Sequence, residues 1–189
     1  MSGHPHQIPS YMPEQRTYPH GQDSNRPQMS RKERAAIQIK AITNAATQIE
    51  LGETKDEIPT LTFEQTCIKV VLGKRQGDWN KKIIFQLSPD TELQQLIDFL
   101  THRIHENELC FKYHGKDNNK SMRLTKNEDG SVMLGLSEGQ KRHNGVLQPT
   151  KVSQLLILAY KAYGGRFNLS MVDTISVLNK SPISEKPKK

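Results

Sequence analysis

Apolar and polar residues alternate in two short stretches early in the chain. In AIQIKA, Ile37 and Ile39 alternate with Gln38 and Lys40; in QIEL, Ile49 and Leu51 alternate with Gln48 and Glu50. Such period-two alternation marks strands with one buried face, and Thr43-Asn44 offers a turn between them. The same residues also fit a helix. Ser30 and Glu33 form a capping box, and the alanines around them favour helical backbone. On local grounds, residues 30–52 are two strands or one helix.

Beyond this point the pattern is clearer. Residues 66–75 (TCIKVVLGKR) and 81–88 (KKIIFQLS) are β-branched runs, and QGDWN reads as the hairpin connection between them. A helix is predicted to start at Ser88-Pro89, with Ser88 as N-cap and Pro89 at the first helical position. Leu93, Leu96, Ile97, Leu100 and Ile104 then recur on one helical face. Residues 108–114, 120–126, 131–137 and the short run 144–148 read as four further strands, with a hairpin turn at Glu128-Asp129-Gly130. Pro149 opens a second helix with Val152, Leu155, Leu156, Ala159 and Tyr163 on one face, ended by Gly164-Gly165. Leu158 and Tyr160 widen its apolar arc, as a helix buried on more than one side requires, with another subunit as one candidate for the second side. A strand leading through proline into a helix therefore occurs twice. Two strands in residues 34–52 would make each half four strands plus one helix.

Composition adds boundaries and a partner class. Residues 1–29 hold five of the ten prolines, three of the seven histidines and almost no aliphatic side chains. Such a segment cannot offset its ordering entropy by burial, so it is expected to be a disordered tail. The folded domain is expected over residues 30–179, and residues 180–189 form a basic C-terminal tail. Lys and Arg outnumber Asp and Glu by 27 to 20, for a net charge of +7, which favours a polyanionic partner. No run approaches the roughly 18 consecutive apolar residues of a membrane span. The N-terminus has no apolar signal-peptide core, so a cytoplasmic, nucleoid or organellar location is expected and secretion is not.

Candidate chemistry is sparse. Cys67 and Cys110 sit in strand-like contexts and read as reduced, buried thiols. His4, His6 and His20 have no acidic partner at metal-ligand spacing. His102 and His105, beside Glu106, would share the polar end of the first helix, and a solvated face accounts for them. No phosphate loop, nucleophile elbow or metalloprotease motif is present. The reading is a protein that is not an enzyme and that needs no cofactor or metal.

The stretch GDWNKKIIFQLSPDTELQQLIDFL, followed by ELCFKYHGK and PTKVSQLLILAYKAY, resembles in order and spacing the Whirly family of single-stranded-DNA-binding proteins, which is related to trypanosome mitochondrial RNA-binding proteins. The matching residues are Asp78, Trp79, Lys81, Lys82, Phe85, Leu87 and Ser88, then Cys110 and Phe111, then Pro149, Thr150 and Lys151. Residues 32–36 (KERAA) resemble the family's N-terminal basic motif, with Glu33 where the family has glycine. The resemblance runs from Lys32 to Tyr163. It implies strands rather than a helix in residues 34–52 and an α+β fold of two antiparallel four-stranded sheets, each followed by a helix (β4-α-β4-α). It also implies a homotetramer assembled through the helices, with Leu158 and Tyr160 at the interface, and single-stranded DNA as the partner, with RNA a polymer of similar chemistry.

Single strands are held by cations that follow phosphates and by rings on which bases stack. Lys32, Arg34, Lys69, Lys81, Lys82, Lys112, Lys120, Arg123 and Lys126 are the candidate cations, and Trp79 is the candidate stacking ring. Strand parity puts Phe85 and Leu87 on the core face, opposite Lys82, Ile84 and Gln86. It places Phe111 and Tyr113 together, opposite Cys110, Lys112 and His114. Trp79 reads equally as a stacking ring or as a hairpin anchor. The competing function is a protein-interaction adaptor that binds no nucleic acid. Salt separates the two, since phosphate contacts weaken steeply with salt and an apolar interface does not.

Overall fold

The alternating stretches are strands. In the computed structural model, which describes residues 38–183, β1 (Gln38–Ile42) and β2 (Ala46–Glu53) pair antiparallel around the Thr43-Asn44 turn. β3 (Pro59–Thr66) pairs with β2. A two-stranded ribbon, β4 (Ile68–Val71) and β5 (Lys74–Gly77), and one turn of 3-10 helix at Trp79–Lys81 then intervene. β6 (Ile83–Gln86) returns to β3 and completes a sheet in the order β1-β2-β3-β6. Helix α1 (Glu92–Leu100) leads to a second antiparallel sheet built from β7 (Glu108–His114), β8 (Lys120–Lys126), β9 (Val132–Glu138) and β10 (Lys141–Leu147), ordered β10-β9-β8-β7. Helices α2 (Pro149–Arg166) and α3 (Met171–Lys180) follow. The fold is α+β with two antiparallel four-stranded sheets.

Register explains the core. Ile39, Ile49, Phe63 and Phe85 are successive cross-strand partners, so one apolar row crosses the whole first sheet. Leu109, Leu124 and Leu134 form the matching row of the second. All seven are buried in one cluster with Leu93, Leu96, Ile97 and Phe99 of α1 and Leu155 and Ala159 of α2. Polar side chains also tie the sheets, and Gln65 does so from a fully buried position. Buried Gln65 donates from Nε2 to Thr47 Oγ1 (3.0 Å) and Leu134 O (2.9 Å), and its Oε1 accepts from Leu136 N (3.0 Å).

Several expectations are corrected. The third strand is residues 59–66, not 66–75, and the tight turn is Leu72-Gly73 rather than QGDWN. The chain leaves the sheet after Thr66, whose Oγ1 donates to Asp78 O at 2.6 Å, while Asp78 N donates to Cys67 O at 2.9 Å. These bonds close the ribbon at its base. Gly77 lies there because a Cβ would stand 2.8 Å from the Ala46 methyl and 2.9 Å from the Trp79 ring.

Helix α1 starts at Glu92 rather than Pro89: Thr91, with φ −127°, is its N-cap, and the Glu92 carboxylate accepts from Ser88 N at 2.8 Å. It ends before His102, whose backbone is left-handed (φ 59°), so His102 and His105 lie beyond the helix and not on one of its faces. Pro149 opens α2 as expected, but the helix runs through Gly164 and Gly165. Gly164 is buried against Thr174 and Leu169 O, where a side chain would collide. It serves a close approach of α3 rather than a stop.

Helix α3 is additional to the expected pair. Its signal was present in Ser170 and Asp173: the Ser170 hydroxyl accepts from Asp173 N at 3.2 Å as an N-cap. It also alters the reading of Leu158 and Tyr160. They are 4% and 8% exposed within the single chain, because α2 is enclosed by the first sheet, α1 and α3. The wide apolar arc is consumed within the chain, as burial on more than one side requires, which leaves these two side chains little surface for a subunit interface. Lys32, Arg34 and the expected tail of residues 1–29 lie outside the described residues, as do residues 184–189 of the C-terminal tail. Among the described residues, no helix is long and apolar enough to cross a membrane.

Candidate nucleic-acid interface

Asp78 organises the first part of the candidate surface. It follows Gly77 at the base of the ribbon, and its two oxygens receive Lys69 Nζ at 3.3 Å and Lys81 Nζ at 3.4 Å. The hydrogen bond from Lys69, followed by that from Lys81, holds the Asp78 carboxyl below the ordinary aspartate range. Asp78 therefore stays ionised at neutral pH and offsets one of the two lysine charges. Replacing it by Asn removes that offset and leaves the turn in place. If this surface holds single strands, Asp78→Asn is expected to bind them more tightly at low salt, with a salt slope steeper by about 0.7 for each lysine that gains a phosphate. Fluorescence titration over a salt series measures this, and an unchanged slope would place both lysines off the binding path.

Trp79 is partly packed and partly exposed. One side packs over Gly77, yet the residue keeps 38% of its surface in solvent. Lys82 ends the 3-10 turn and reaches Glu64 on β3 at 2.7 Å. Along β6 the parity expectation holds: Ile83 and Phe85 are buried while Ile84 and Gln86 face outward. Lys120, at the start of β8, pairs with Glu138 at 3.2 Å and donates to Ile84 O at 3.1 Å. That bond joins the end of the second sheet to the open edge of β6.

Parity fails at β7. Its register with β8 shifts between Phe111 and His114, and Tyr113 occupies the left-handed region (φ 65°). This bulge leaves Phe111 buried, turns Tyr113 out to 75% exposure, and sends His114 inward onto the Phe85 ring at 4.2 Å. The His114 ring is also fixed by Glu92 at 2.7 Å. Tyr113 thus stands beside exposed Lys112 as a second solvent-facing ring, which the period-two rule had assigned to the face of Phe111. Nothing in the local sequence signals the bulge, which keeps Phe111 buried while His114 packs on Phe85 of the other sheet.

The remaining candidates separate from this strip. Arg123 lies on the open face of the second sheet, paired with Glu108 at 3.1 Å. Arg142, which was not singled out, is exposed near the far edge of the same face, opposite Ser137. Lys126 is withdrawn from the site. Its Nζ donates to Ile104 O at 3.0 Å and sits 4.3 Å from the Phe99 ring centre, and burial lowers its pKa. At the end of β8 its long stem covers the core beside α1. Among the described residues, no group of three or more His, Cys, Asp or Glu is placed to hold a metal ion.

The surface so assembled is a strip from Trp79 and Lys81 through Lys82, Ile84 and Lys120 to Tyr113 and Lys112. No family model, curated protein or solved structure matches the chain.

Proposed function

We propose that this strip binds single-stranded nucleic acid with little sequence preference, and that the chain is a binding protein rather than an enzyme. The observation that carries the reading is the pair of exposed rings, Trp79 and Tyr113, each held out by local backbone geometry beside lysines. Unpaired bases can stack on such rings, whereas the bases of a duplex hide their faces in their own stack. The lysines between the rings are held by Asp78, Glu64 and Glu138 at the surface. Each of these pairs keeps part of its surface in water, which weakens it, so phosphates can compete with the carboxylates for the lysines. The resemblance of residues 77–100 to single-stranded-DNA-binding proteins supports the same reading. DNA is the proposed polymer, since the resemblance is to DNA-binding proteins.

Homotetramer formation, implied by that resemblance, belongs to the same proposal. Ile157 of α2 and Val172 and Val177 of α3 are the exposed apolar positions on the helices that it would use.

The test is a titration of a labelled oligonucleotide with the wild type, Trp79→Ala, Tyr113→Ala and the double variant Lys81→Ala/Lys82→Ala. Each ring lost should weaken binding by about 1–3 kcal/mol. The lysine pair should flatten the salt slope by about 1.4. Wild-type slope in the lysine variant would show that the site is elsewhere. Failure of the wild type to bind any single strand at low salt would leave the adaptor function in its place.

A further inference from the structure

The β4–β5 ribbon ends in a turn whose sequence opposes its geometry. Leu72 and Gly73 occupy its centre with φ of 49° and 73°. Positive φ at both central positions is the hairpin turn that favours Asn-Gly, because a branched side chain at the first position crowds its own backbone. Leucine is a poor choice there, and burial does not offset the strain: Leu72 is 96% exposed. Val70 and Val71, the last residues of β4, are exposed beside it. A strained residue that gains nothing inside its own chain points to a role outside it.

The ribbon is firmly based and basic. Its foot is fixed by the Asp78–Cys67 backbone bond and the Gly77 packing, and Arg75 Nη2 donates to Thr43 O in the β1–β2 turn. Lys74 is paired with Val71 across the ribbon, and Arg75 with Val70, so each valine below the tip has a cation beside it on the same face. Lys69 shares Asp78 with Lys81, next to Trp79. The ribbon therefore rises from the Trp79 end of the proposed binding strip.

We propose that this ribbon is a wedge for the boundary between single strand and duplex, with Leu72 and Val70 packing on the last base pair while Lys74 faces a flanking phosphate and Arg75 holds the ribbon to the β1–β2 turn. The proposal rests on the single-strand reading of the Trp79–Tyr113 strip and adds a specific substrate feature to it. The end of a duplex stack is where nucleic acid shows a flat apolar face bordered by phosphates. Apolar side chains elsewhere wedge against base stacks in this way. An anionic lipid surface offers related chemistry. The shared base with Trp79 and Lys81 favours nucleic acid.

Leu72→Asn tests the idea without endangering the fold, because asparagine suits the left-handed position; its thermal midpoint should equal or exceed that of the wild type. Three labelled DNAs are compared: a single strand, the same strand joined to a hairpin duplex, and a blunt duplex alone. Phosphatidylserine–phosphatidylcholine vesicles form a fourth arm. The wild type should bind the junction about tenfold more tightly than the single strand, the equivalent of one stacking contact. Leu72→Asn should lose that gain while binding the single strand as before. A 2-aminopurine in the last base pair should change its fluorescence with the wild type only. Equal wild-type affinity for junction and single strand overturns the wedge and leaves the single-strand reading intact. So does a junction preference that survives in Leu72→Asn. Binding to the junction but not to the single strand supports the wedge and removes the strip. Binding to neither DNA removes both, and Leu72-dependent binding to vesicles in place of the junction assigns the tip to lipid.

Discussion

Gln65→Met is expected to destabilise the protein by about 3–5 kcal/mol in urea unfolding, although the side chain keeps nearly its length and volume. The buried amide of Gln65 makes three hydrogen bonds, two of them to the backbone of β9. Methionine can replace none of the donors and is at best a weak acceptor. Leu134 O and Leu136 N would then each lose a partner in the region between the sheets, and an unsatisfied buried group costs about 1–3 kcal/mol. A loss below about 1 kcal/mol would mean that other groups can satisfy this backbone. Gln65→Glu sharpens the test. At neutral pH its carboxylate would accept from Leu136 N but face Leu134 O without a proton to offer. Acidification should recover part of the loss, because the neutral acid can donate to that carbonyl. The sheets should separate before either unfolds if this clasp carries their alignment, which probes of Trp79 fluorescence and backbone circular dichroism can report separately.

Arg103→Met should cost a similar amount, about 3–5 kcal/mol, by leaving Asp98 without its guanidinium. Asp98 is fully buried on α1, and Arg103 Nη1 meets its Oδ1 at 2.8 Å. The same guanidinium donates to Leu178 O from Nη1 and to Ser181 O from Nη2. It therefore fastens the C-terminal end of α3 to the end of α1 as well as neutralising a buried charge. Hydrogen exchange should show loss of protection across α3 in this variant. The combined variant Asp98→Leu/Arg103→Met should be more stable than Arg103→Met alone, since an apolar pair removes the buried charge together with its partner. If the double variant is the less stable of the two, the capping of α3 matters more than the charge.

How much of this was legible in the chain differs by element. The strands of the second sheet and the entry of α2 at Pro149 follow from alternation and a proline at the first helical position, both local effects. So does the burial of Phe85, which parity alone predicts. The strand at residues 59–66 escaped because TLTFEQT carries polar side chains on both faces; its inward set includes Gln65, whose partners are 69 and 71 residues away. The ribbon escaped because its turn contradicts turn preference. Helix α3 had a readable cap at Ser170 and Asp173, but the glycines before it looked like an end.

The candidate site divides in the same way. Its lysines and its tryptophan were visible as residue types, because charge and aromaticity belong to the side chain alone. Their availability was not. Lys126 is drawn over the Phe99 ring, Tyr113 is turned outward by a bulge, and Leu158 and Tyr160 are buried in the core of the chain. The sequence by itself determined the α+β class, the alternation that gives most strands a buried face, and the basic character of the surface, since these depend on spacing and composition. The tertiary structure decided which cations are neutralised, which rings meet solvent and which apolar faces are already filled. Those outcomes depend on partners distant in sequence, and local periodicity carries no information about them.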